Sequence, residues 1–191
     1  MSIVLLGSTS GSCTLQEQAV AGTTTLTLPT FNGTVGLLVS GTSVASTSGT
    51  SIDFTGLPAG VRRITVMLAG VSTNGTNNIF IQLGTGATPT YTSSGYLSNI
   101  TSGTGTTTAF TAGFGVTTTT AATEHAGILT FCLLNSATNA WVQNGNTRFS
   151  NIGAFQSAGN VALSGILTAI RITTAGGTDT FDAGSINILY E

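Results

Sequence analysis

The side chains able to do chemistry in this chain are few and far apart. His125 is the sole imidazole and follows Glu124. A general base there needs a nucleophile and an orienting group, and a metal centre needs further nitrogen or sulfur ligands. One His and two distant thiols, Cys13 and Cys132, do not supply them, so His125 reads as a polar residue at the start of a strand. The two Cys are too few for a disulfide framework and read as small buried or incidental residues. Asp179 and Asp182 lie three apart in GGTDTFDAGS. With Asp53 they are the acids to weigh for a calcium site or a glycosidase pair. Hydrolysis of a glycan needs two carboxyl groups facing across a cleft, which neighbours in one loop rarely manage. The expectation for this loop is Asx-type turns, each carboxylate capping nearby backbone N–H groups.

The remaining candidates reduce in the same way. Arg62 and Arg63 are adjacent at the start of a strand, so their side chains point to opposite faces. One is expected in solvent, the other on a carboxylate such as Asp53 or Asp182 or across a subunit boundary. Trp141 with Tyr91 and Tyr96 would form a sugar-stacking platform in an adhesin, but a lone Trp beside Val142 reads better as core or interface. A P-loop requires Lys, which is absent, and Gly113 and Gly115 have no helix pattern after them. No enzyme activity, cofactor or metal is expected.

Composition narrows the class further. Of 191 residues, 38 are Thr, 19 Ser and 26 Gly, while only 5% carry charge and the formal net charge is −2. Four Arg and no Lys argue against nucleic acid, whose phosphates need clustered cations. Mean hydropathy is +0.39, yet no stretch approaches the ~18 apolar residues of a spanning helix, so membrane insertion is not expected. The opening MSIVLLGSTSGSC lacks a positive n-region and a full apolar h-region, and is not expected to be a secretion signal. With 40% hydrophobic residues the chain can bury a core, and abundant Thr suits exposed strand positions.

The elements that must position these residues are strands. Ile64, Val66 and Leu68 alternate, as do Ile79, Ile81 and Leu83, then Leu129, Phe131 and Leu133, then Ile186, Ile188 and Tyr190. About nine strands are expected, over 51–54, 62–71, 78–83, 96–100, 106–116, 127–134, 140–143, 161–173 and 185–190. Turns fall at Gly56-Leu57-Pro58, Asn74-Gly75 and Ala175-Gly176-Gly177. The pattern is an all-β, antiparallel β-sandwich, jelly-roll-like, over 44–191, preceded by an extended N-terminal β arm over 1–43. Residues 40–50, SGTSVASTSGT, read as a linker or edge segment between them. The arm is too sparsely apolar for a core of its own, so it is expected to pack on other copies or a host assembly. Its contact residues would be Leu5, Leu6, Leu15, Leu26, Leu28 and Leu37.

Residues 48–84, SGTSIDFTGLPAGVRRITVMLAGVSTNGTNNIFIQLG, and 171–191, RITTAGGTDTFDAGSINILYE, resemble the C-terminal domain of many tailed-bacteriophage virion proteins of the tail-fibre, head-fibre and decoration type. The tract over 7–30 is similar to the Gly/Ser/Thr-rich segments preceding such domains. These stretches cover somewhat under half the chain. The resemblance implies a virion structural protein and a homotrimer. Only about 43 residues precede the sandwich, which favours a short knob on the capsid surface over a long fibre. The expected function is a non-enzymatic capsid decoration, or cement, protein, its partners being its own copies and the major capsid protein or another virion protein. The alternative is a short tail-fibre or baseplate tip binding a host surface glycan through loops such as 85–95 or 144–153. On a threefold axis, three His125 side chains around an ion is a weaker alternative.

Overall fold

The computed structural model describes residues 2–6, 12–16, 36–102, 105–150 and 153–191. The chain divides into two compact units, Met1–Val35 and Gly36–Glu191. In the first, β1 (Ser2–Leu6) and β2 (Ser12–Gln16) form an antiparallel hairpin in which Ile3 opposes Leu15 and Leu5 opposes Cys13. Leu5, Leu6 and Leu15 therefore lie on paired strands, whereas Leu26 and Leu28 fall outside the described residues.

The second unit is a β-sandwich of two antiparallel sheets. Its strands are β3 (Val39–Ser40), β4 (Val44–Ala45), β5 (Ser51–Thr55), β6 (Arg63–Thr73), β7 (Ile79–Thr85), β8 (Thr90–Tyr91) and β9 (Leu97–Ser102). There follow β10 (Thr107–Phe110), β11 (Phe114–Val116), β12 (His125–Asn135), β13 (Ala140–Phe149), β14 (Gly153–Ala162), β15 (Leu167–Thr174) and β16 (Phe181–Tyr190). The large sheet runs β10-β9-β14-β13-β12-β6-β16-β3, with β4 also on β16; the small one runs β11-β7-β15-β5, with β8 on β7. From β5 to β9 the chain crosses repeatedly between the two sheets, and β12, β13 and β14 then run as a meander within the large sheet.

The alternating apolar positions fill the space between the sheets. Ile64, Val66, Ile79, Ile81, Leu83, Leu129, Phe131 and Ile186 are fully buried. Tyr96, Phe114 and Phe131 stack edge to face at centroid separations of 5.0 and 5.2 Å, a favourable arrangement for aromatic quadrupoles. A second cluster of Phe80, Ile100 and Phe110, flanked by Phe155, closes the far end of the large sheet.

Three expected segments are redrawn. Residues 106–116 are two strands: β10 joins the large sheet and β11 the small one, because the chain bends at 111–113 and crosses the core. Residues 161–173 are likewise two strands, the end of β14 and then β15, separated by a turn at 163–166. Residues 144–149, expected in a loop, continue β13, whose partner β14 begins at Gly153. Within 40–50, β4 and the start of β5's approach lie along the sandwich, with β3 and β4 as edge strands on β16.

Candidate functional site

Each residue singled out for chemistry has a defined partner. Asp179 receives the backbone N–H of Asn77 and its Nδ2, both at 2.8 Å, while Asn74 Oδ1 accepts the N–H of Thr180 at 2.9 Å. Asp182 accepts the hydroxyl hydrogen bond of Ser72. Asp179 thus ties the β15–β16 loop to the β6–β7 turn, and Asp182 ties the start of β16 to the end of β6. Gly75 is required beneath Asp179, since a Cβ there would overlap the carboxylate.

Asp53 lies elsewhere, on β5, where Arg171 of β15 grips it with two hydrogen bonds of 2.8 and 2.7 Å. The Arg171 guanidinium also sits 4.0 Å above the Tyr91 ring. Burial, reinforced by the Asp53 charge, pushes the Tyr91 phenol up to about 12. Arg63 pairs with Glu191 at 2.8 Å and Arg148 with Glu124 at 3.1 Å. Arg63 thus reaches a carboxylate as expected, but the acid is Glu191; Asp53 and Asp182, the acids named for that role, are taken by Arg171 and Ser72, which the sheet pairing brings closer.

His125 does begin a strand, but its ring is fully buried against Phe149 rather than solvated. Nε2 lies 3.3 Å from the Thr118 hydroxyl and Nδ1 has no partner. Burial lowers its pKa to about 4, so the ring is neutral near pH 7. Complete burial within one chain also keeps it from meeting other copies around an ion. Trp141 is core, as its strand context implied, and Tyr96 is buried with its hydroxyl accepting the Leu83 N–H at 2.9 Å. The three aromatic side chains form no common platform. Cys132 is a free, half-buried thiol. Leu37 is 77% exposed.

What sequence reading missed is the outer face of the large sheet. One cross-strand row reads Ala109, Asn99, Ala158, Asn144, Thr130 and Thr65. The next reads Thr107, Thr101, Gln156, Asn146, Ile128 and Met67. Neither row holds a charge. Two arginines stand at its margins, Arg63 and Arg148, and each is paired with a carboxylate. Leu97 and Ile128 are exposed on it at 67% and 53%. The signal was present as alternating polar residues in 142–148 and 156–160, yet β14 is too poor in apolar residues to be recognised as a strand. Among the described residues no group of three or more His, Cys, Asp or Glu is placed to hold a metal ion. No protein-family model, curated protein or solved structure matches this chain.

Proposed function

We propose that the chain is a non-enzymatic structural protein of a tailed-bacteriophage virion, acting as a trimeric capsid decoration protein. The observation that carries this reading is the broad outer face of the large sheet, free of charge across two full rows and flanked by arginines already neutralised by Glu191 and Glu124. Such a face lets copies crowd on a particle without mutual repulsion. The β1–β2 pair, which falls in the compact unit Met1–Val35, agrees with an attachment arm carrying Leu5, Leu6 and Leu15. The assignment to a virion takes up, as an expectation read from the sequence, the resemblance of residues 48–84 and 171–191 to virion domains. Strand addition suits an arm of this kind, because backbone hydrogen bonds supply affinity while asking little of the side chains.

Immunogold labelling of intact virions with antibody against residues 50–191 tests it. Label spread over heads is the expected result. Label confined to the tail end would replace decoration with a tail-fibre or baseplate tip.

A further inference from the structure

On the outer face of the large sheet, strands β9, β14 and β13 carry a shallow groove, broadly open to solvent, of about 390 Å³. Its floor is Ala158, an exposed position with a single methyl group. Ala158 is flanked in register by Asn99 on one side and Asn144 on the other. One row along, Gln156 is flanked by Thr101 and Asn146. Sheet geometry sets these side chains on a grid of about 4.8 Å across strands and ~7 Å along them. Asn99 and Asn144 therefore stand about 10 Å apart as walls, with the short Ala158 between them.

We propose that this groove binds a neutral carbohydrate, one or two pyranose rings of an uncharged oligosaccharide. The groove lies within the size range of small-ligand clefts, which begins at about 300 Å³. The backbone of β14 is paired on both sides from Phe155 to Asn160, so an extended peptide finds no free N–H or C=O there. Recognition must come from side chains. Asn99, Asn144, Asn146 and Gln156 each present two donors and one acceptor carbonyl in a plane, which is what vicinal hydroxyls require. None of the four is spent on a hydrogen bond within the described part of the fold. An anionic ligand finds no cation, because the nearest arginine on β13, Arg148, is held by Glu124 and the carbonyl of Ser150. An apolar ligand would leave the carboxamides without partners, at a cost in free energy. The site does not depend on where the protein sits in a particle.

The test is a titration of the ¹⁵N-labelled full chain, following the side-chain NH₂ signals of Asn99, Asn144, Asn146 and Gln156. The probes are maltohexaose, cellohexaose and mannohexaose, with oligogalacturonate as the acidic comparison. At least one neutral probe should shift these four signals together and saturate at millimolar concentration. Ala158→Leu should weaken that binding at least about tenfold by filling the floor, while Asn144→Ala should weaken it severalfold. Both positions face solvent, and an unchanged backbone spectrum will show that each variant is folded. Silence of all four signals with every neutral probe would overturn the proposal. So would equal binding of oligogalacturonate, or binding that survives Ala158→Leu.

Discussion

Arg171 and Asp53 face each other as direct cross-strand neighbours and close a two-pronged ion pair, Nε to Oδ1 at 2.8 Å and a terminal guanidinium nitrogen to Oδ2 at 2.7 Å. The pair fastens the edge strand β5 to β15, and Tyr91 lies under the guanidinium. Both side chains remain about one-third exposed, at 33% and 31%, so solvent screens much of the attraction. A double-mutant cycle with Arg171→Met and Asp53→Asn, read by urea denaturation, should give a coupling of roughly 0.5 to 1 kcal/mol. A coupling near zero would mean that packing on Tyr91, not the charge pair, holds the edge.

Asp179 locks two loops that are far apart in the chain. Asp179→Ala removes both hydrogen bonds to Asn77 and should cost about 1 to 2 kcal/mol. Hydrogen exchange at the Asn77 amide should accelerate more than exchange in the strands. Gly75→Ala should destabilise comparably, because its methyl group competes with the carboxylate for the same space.

His125 makes stability depend on pH in a definite direction. Its pKa is about 4 in the fold and 6.5 in the open chain. Above 6.5 the ring is neutral in both states and stability is full. Between 6.5 and 4 the unfolded chain takes up a proton that the folded chain refuses, so stability falls with pH. The total loss is on the order of 3 kcal/mol. Chemical denaturation at several pH values should show this slope, and His125→Leu should lack that component.

The two compact units predict how truncation behaves. Removing residues 1–35 leaves β3 in place and should preserve the cooperative unfolding of Gly36–Glu191. Removing 1–43 also strips β3 from β16, including the 2.8 Å bond from the Gly41 N–H to the Ile188 carbonyl. That longer truncation should lower stability by about 1 to 2 kcal/mol. Neither truncated protein should join particles if the arm is the attachment element. Decoration by the 1–35 deletion would exclude that role.

Much of the sandwich was legible because alternation is a local property. Ile64, Val66 and Leu68, or Ile186 and Ile188, declare a buried face whatever the strands pair with. The turn at Asn74-Gly75 and the break at Gly176-Gly177 were legible for a similar reason, since backbone permissiveness belongs to the residue itself. The local Asx-type turns expected of Asp179 and Asp182 are corrected: Asp179 accepts from Asn77, 102 positions away, and Asp182 from the Ser72 hydroxyl, 110 positions away, because the β15–β16 connection and the start of β16 pack against β6 and the turn after it.

Everything that depended on which strands meet was decided only by the tertiary structure. Strand β14 carries Gly, Ala, Ser, Gln and Asn, and forms because β9 and β13 satisfy its backbone on both sides. The division of 106–116 between two sheets follows from a core that must be crossed, which no local pattern encodes. Arg171 meets Asp53 across 118 positions of sequence, and Asp179 meets Asn77 across 102. The depression between Asn99, Ala158 and Asn144 likewise exists only where three strands lie in register. Sequence determines which face of a strand is apolar; register determines which polar side chains become neighbours, because hydrogen-bonded pairing brings together residues that composition and spacing leave apart.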